Sequence, residues 1–136
     1  MKVHQHILLV EDDDIDAMTV RRVLKELGAL NPLDRVPNGE QALAYLHDPK
    51  NAPPGLILLD LNMPRMNGIE FVTAIKKDPV LCLIPVVVLT TSNEAPDRLA
   101  AFHQSVAGYM IKPVDYQQFL AVMALVRDYW TTSENP

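Results

Sequence analysis

Four apolar runs in this chain each end on a side chain able to do chemistry. Glu11, Asp12 and Asp13 follow HILLV at 6–10, Asp60 follows LILL at 56–59, Thr90 closes PVVVL at 85–89, and Lys112 with Pro113 follows AGYMI at 107–111. Carboxylates gathered in one place repel one another: at ~4 Å and an effective dielectric of ~20, each close pair costs on the order of 4 kcal/mol before salt and relaxation reduce it. Either their pKa values rise or a cation sits among them, and a small hard cation such as Mg²⁺ takes oxygen ligands of this kind. The competing expectation for Asp12 to Asp14 is capping at the positive end of a helix. Lys112 could pair with an ionised Asp60 or with a dianionic group attached to it, or form a structural salt bridge. Thr90 offers a hydroxyl donor or a simple strand-end cap. Together, an acidic pair, an aspartate, a hydroxyl and a lysine at successive strand ends form the set needed to place a phosphoryl group on a carboxylate.

Five strand-like runs must position these groups, the four above and a weaker LDRV at 33–36, each followed by a helix-like segment. The first helix is expected over 15–27, with Val20, Val23, Leu24 and Leu27 near helical spacing and a stop at Gly28. The second starts at Asn38, where Asn38 and Gln41 have capping-box spacing, and ends before the proline-rich break at 49–54. The third spans 68–77. A fourth over 94–104 has Pro96 in its first turn and Leu99 and Phe102 as expected inward residues. The fifth follows Asp115, with capping-box spacing to Gln118, and runs to about Trp130. Alternating strands and helices imply an α/β domain, a parallel sheet covered on both faces. In such sheets sites form outside the carboxyl ends of the strands, which puts the reactive residues on one rim.

A chain of 136 residues suits one domain over 1–136, with a frayed tail at about 131–136. With 12 Lys and Arg against 17 Asp and Glu, the formal charge of -5 disfavours direct nucleic-acid binding. The lone Cys82 allows no internal disulfide and is expected as a small core hydrophobe. MKVHQHILLVEDDD reaches acidic residues too soon for a secretory core, and no run approaches the ~20 apolar residues of a membrane span. The expectation is a soluble cytoplasmic protein without membrane insertion. His4, His6, His47 and His103 show no metal-ligand spacing.

In order and at matching intervals, VEDD, LLDLNMPRMNG, VVVLTTS and YMIKPV resemble the receiver domain of two-component response regulators, over nearly the whole chain. The resemblance implies the flavodoxin-like (βα)5 doubly wound parallel sheet of strand order 2-1-3-4-5. It also implies Asp60 as the phosphoacceptor and Mg²⁺ held by Glu11, Asp12, Asp60 and the backbone carbonyl of Asn62. Thr90 would contact the phosphoryl group, Lys112 would pair with it, and Tyr109 would be the aromatic whose rotation accompanies activation. The implied donor is a sensor histidine kinase, and the domain would catalyse only its own phosphorylation and dephosphorylation. More narrowly, VVVLTTS, KPVDYQQF and DYW resemble stand-alone regulators paired with bacterial and cyanobacterial phytochrome kinases. Two departures are Ser105-Val106, where the family often has Gly-Ala, and Val114, where a bulkier Phe or Leu often follows Lys-Pro.

With no output domain in the chain, the signal is expected to be a changed face made by the fourth helix, fifth strand and fifth helix. The last helix is apolar at Phe119, Leu120, Val122, Met123, Leu125, Val126, Tyr129 and Trp130, a wide stripe. A homodimer through Phe119, Val122, Met123, Val126, Tyr129 and Trp130 is expected; the alternative is that the helix folds over its own core. The kinase is expected to dock beside Ile15, Ala17 and Met18 at the start of the first helix. A flavin electron carrier would need a phosphate-cradling loop where EDDD stands. A phosphatase of the haloacid-dehalogenase type would want an aspartate where Asn62 stands. An interaction module that kept only the fold would not need Asp12, Asp60, Thr90 and Lys112.

Overall fold

The computed structural model describes residues 4–61, 63, 66–91 and 95–132. Five strands and five helices alternate: β1 (Ile7–Val10), α1 (Asp14–Glu26), β2 (Leu33–Val36), α2 (Gly39–His47), β3 (Leu56–Leu59), α3 (Gly68–Lys76), β4 (Val86–Thr90), α4 (Ala95–His103), β5 (Gly108–Ile111) and α5 (Tyr116–Thr132). A short 3-10 turn, Leu81–Leu83, precedes β4. The strands are parallel in the order β2-β1-β3-β4-β5, the flavodoxin-like arrangement expected from the sequence. Every residue of β1, β3 and β4 is buried, because helices cover both faces and only the edge strands β2 and β5 are half-exposed.

Alternation along the strands divides the core in two. Leu8, Val10, Ile57, Leu59, Val86 and Val88 face α2, α3 and α4, meeting Ala42, Phe71, Val72, Ile75 and Ala101. Ile7, Leu9, Leu56, Leu58, Val87 and Leu89 face α1 and α5, meeting Val20, Val23, Leu24, Phe119, Met123, Val126 and Trp130. These last four lie at intervals of four, three and four along α5, one helical stripe, and all are at most 5% exposed. This corrects the expected dimer face: Phe119, Met123, Val126 and Trp130 fill the chain's own core. Of the six residues, only half-buried Val122 and exposed Tyr129 remain available outside it, beside exposed Leu125.

In α4 the inward residue is Ala101, while Leu99 and Phe102 are 63% and 56% exposed, the reverse of the expectation. At about 100° per residue, turning Ala101 onto the sheet carries position 99 to the side facing away from the sheet and position 102 to a flank. Cys82 is half-buried on the 3-10 turn, its thiol 3.4 Å from the Pro79 carbonyl, and is not a core residue.

Helix starts are set by side chains that satisfy otherwise orphaned N–H groups. Asp13 accepts from Asp16 N at 2.8 Å, Asn38 from Gln41 N at 2.9 Å, and Asp115 from Gln118 N at 3.0 Å. At α3 a full capping box joins Asn67 and Glu70, which the sequence reading did not anticipate. Gly28, at φ 76, stops α1 as expected. Ser105 after α4 stands at φ 58, so here a serine adopts the left-handed turn that glycine would take without strain.

Candidate functional site

Strand register carries the reactive residues to one rim. Val10 lies opposite Leu59, so the next residues, Glu11 and Asp60, emerge side by side. Asp60 N donates to Val10 O at 3.1 Å and Glu11 N to Val36 O at 3.0 Å, fixing both backbones. Thr90 lies opposite Ile111, and Lys112 N donates to Thr90 O at 2.8 Å, which extends the β4–β5 ladder to the lysine.

One carboxylate oxygen from each of Glu11, Asp12 and Asp60 lies within 4.8 Å of the others. Glu11 and Asp60 are buried and Asp12 is exposed, so the cluster is rooted in the fold and open on one side. Burial raises the Glu11 carboxyl from its ordinary 4.5 to about 7; the Lys112 hydrogen bond and charge oppose the rise, and the Asp60 charge adds to it. Burial pushes the Lys112 ammonium down. The Glu11 hydrogen bond, with the charges of Asp60, Glu11 and Asp16, outweighs it, and the net shift is upward. Lys112 therefore stays charged although its side chain is only 7% exposed.

The ammonium donates to Glu11 Oε1 and, at 3.3 Å, to Asp16 Oδ2. Asp16 was missed in the sequence; the available signal was its place in the first turn of α1, three residues after the cap Asp13. Thr90 is fully buried at the end of the strand beside the one that carries Asp60. Tyr109 pairs in register with Val88, is half-buried against the α3–α4 side of the core, and its ring centroid lies 6.3 Å from that of exposed Phe102. Asn62, expected to lend its carbonyl to the cation, lies outside the described residues, as does Pro64.

Gly68 packs against the same site from below. A Cβ there would stand 2.7 Å from Leu61 Cα and 2.8 Å from the Asp60 carbonyl oxygen, so the first residue of α3 must lack a side chain. Beside Lys112, a cavity of about 440 Å³ opens between α1 and the β5–α5 turn, lined by Asp16, Thr19, Thr91, Pro113, Val114 and Tyr116 among others. At the start of α1, Ile15 and Met18 are exposed as expected, but Ala17 is buried against the sheet and is no docking residue.

Residues 7–124 match the family model of the response regulator receiver domain. The chain belongs to that family. The response regulator Rcp1 of Synechocystis is 38% identical over 128 residues, 91% of this chain and 87% of that protein. The probable methanogenesis regulatory protein FilR2 of Methanothrix harundinacea is 36% identical over 127 residues, 91% of this chain and 82% of that one. Among solved structures, the phosphorylated cyanobacterial phytochrome response regulator RcpA superposes with a TM-score of 0.89 at 34% identity, covering 98% of this chain and 99% of that one. The Mn²⁺-bound form of Rcp1 gives 0.89 at 35%, covering 97% and 99%. This receiver domain is thus homologous to phytochrome response regulators. Its three clustered carboxylates supply hard oxygen donors that fit a divalent cation, and Lys112 supplies a fixed positive charge beside them. Among the described residues, no helix is long and apolar enough to cross a membrane.

Proposed function

We propose that this receiver domain takes a phosphoryl group from a sensor histidine kinase, of the bacteriophytochrome class, onto Asp60 in the cytoplasm. The observation that carries the reading is the gathering of Glu11, Asp12 and Asp60 oxygens within 4.8 Å beside the buried ammonium of Lys112. An Asp60 carboxylate oxygen bonds to phosphorus as the P–N bond of the donor phosphohistidine breaks, and the bonding pair leaves with the imidazole. Mg²⁺, held by Glu11, Asp12, Asp60 and the Asn62 carbonyl, would neutralise charge on the transferring group. Phosphoryl transfer depends chiefly on positioning and charge compensation. Lys112 compensates charge on the other side, and the Thr90 hydroxyl donates to the new phosphoryl oxygens. Water later attacks phosphorus and returns the free carboxylate. The domain is a phosphoacceptor with no turnover of a separate substrate.

Ile15 and Met18, 74% and 69% exposed, offer the kinase an apolar foothold beside the rim. Thr90 and Tyr109 form the switch: movement of Thr90 towards the phosphoryl group makes room for Tyr109 and reshapes the α4-β5-α5 face. That face carries exposed Leu99, Phe102, Leu125 and Tyr129, which suit a homodimer. A sedimentation mass that stays monomeric at every concentration, with and without phosphorylation, overturns the dimer.

Intact mass after incubation with Mg²⁺ and a small acyl phosphate tests the central claim. A single phosphoryl adduct on the wild type and none on Asp60→Asn is expected. An adduct that persists in Asp60→Asn, or none on either protein, overturns the assignment.

A further inference from the structure

Three of the four residues in the acidic turn are explained by the site or by helix capping, but Asp14 is not, and its partner comes from the edge of the sheet. Arg35, in β2, sends Nη1 to Asp14 Oδ1 at 2.7 Å and Nε to the backbone carbonyl of Glu11 at 2.8 Å. One guanidinium therefore spans the turn from its first residue to its last, with the metal-cluster residue Asp12 between the two grips. Asp12 is exposed, and no side chain among the described residues holds its carboxylate, so the backbone of the turn sets where its side chain starts and how far from Glu11 and Asp60 it can reach. Glu11 N already donates to Val36 O at 3.0 Å, so the residue after Arg35 fastens the same turn from the backbone side.

We propose that Arg35 is a positioning residue for the divalent-cation site: its fork holds the β1–α1 turn so that Glu11 and Asp12 converge on Asp60. The inference rests on the cation site proposed above. The Asp14 arm alone would be an exposed ion pair, since Asp14 is 85% exposed, and such pairs contribute little. The Nε arm is different, because it fixes the carbonyl of a residue that is itself 1% exposed. A planar fork makes two directed bonds at once, whereas the ammonium of lysine is a point charge on a flexible stem. Groups that orient metal ligands from behind typically change affinity by about 10–100-fold when removed.

Charge and position predict opposite signs, which makes the test sharp. Arg35 carries a positive charge beside a cation site, so if it acted through charge alone, Arg35→Met would tighten cation binding. If it positions the turn, Arg35→Met weakens binding by about tenfold, and Arg35→Lys, which keeps the charge and loses the fork, weakens it too. The measurement is Mn²⁺ titration followed by the loss of the free-ion EPR signal, on wild type, both variants and Asp14→Asn, with urea denaturation run in parallel to establish that each is folded. Weakening in both arginine variants, with a smaller change in Asp14→Asn, is the expected result. Equal or tighter binding by Arg35→Met, or full affinity in Arg35→Lys, overturns the positioning role. Should Arg35→Met fail to fold, Arg35→Lys decides alone. Failure of the wild type to bind Mn²⁺ would instead overturn the cation site itself.

Discussion

Acidification should weaken cation binding at this rim, by an amount that follows from Glu11. Its carboxyl is 1% exposed, and burial is the main reason that it rises from 4.5 to about 7. A carboxylate ligates a cation only when ionised, so any proton on Glu11 must leave as the cation enters. With a pKa of about 7, roughly a tenth of Glu11 is ionised near pH 6 and roughly nine-tenths near pH 8. Apparent Mn²⁺ affinity is therefore expected to fall on the order of tenfold between about pH 8 and about pH 6. A glutamate at the ordinary 4.5 would give almost no change in that window. Lys112→Met removes the group that holds the carboxyl down, so the midpoint should move further up. The same proton bears on the stability of the metal-free fold. A carboxyl raised on folding contributes stability that is complete below its unfolded value and is lost as pH rises through about 7. Metal-free protein should thus melt at lower temperature near pH 8 than near pH 6, and Mn²⁺ should cancel the difference. Mn²⁺ titrations by EPR at fixed ionic strength read the first effect and thermal melts the second. Affinity constant within about twofold over this window, or affinity that rises on acidification, refutes the reasoning.

Gly68→Ala forces a Cβ against Leu61 and the Asp60 carbonyl and should cost about 1–3 kcal/mol in urea denaturation, and if Asp60 is the phosphoacceptor, as proposed, phosphorylation should slow because its own backbone is displaced. Ser105→Gly should stabilise the fold by about 1 kcal/mol, because glycine relieves the left-handed backbone at φ 58; unchanged or lower stability would count against strain at that turn. Met123→Ala should lose about 2–5 kcal/mol of stability, since Met123 is fully buried between α5 and the sheet. Leu125→Ala, two residues on and 64% exposed, should change stability by no more than about 0.5 kcal/mol and show its effect in self-association measured by sedimentation.

The rim was legible in the sequence because each reactive residue directly follows a buried strand, and parallel strands carry their carboxyl ends to one side. Glu11, Asp12, Asp60, Thr90 and Lys112 needed only the order of the runs to be placed together. Helix starts were legible where a short polar side chain stands three residues before its N–H partner, as at Asn38 and Asp115. The inward face of α4 was not legible, because a nine-residue helix holds too few apolar positions to fix its rotation, and small Ala101 won the sheet contact over Leu99 and Phe102. The width of the α5 stripe misled for a related reason. Seventeen residues of helix present two apolar lines, and composition cannot say which line belongs to the chain's own core.

Arg35 and Asp16 were invisible to pattern reading because their importance lies in partners distant in sequence. Lys112 reaches Asp16 from 96 residues away, and Arg35 reaches the Glu11 carbonyl from 24. Both contacts close on the same short turn. The cluster consequently has a cation fixed on each side, Lys112 on the side of β5 and Arg35 on the side of β2, with Glu11 touched by both. Four carboxylates, from Glu11, Asp12, Asp14 and Asp60, and the nearby Asp16 outnumber those two charges, so the rim keeps a net negative field when Glu11 is ionised. Such a field draws in a divalent cation and opposes a dianionic phosphoryl group until that cation is bound. If Asp60 is the phosphoacceptor, as proposed above, the charges that the fold places around it set the order of events: cation first and phosphoryl second.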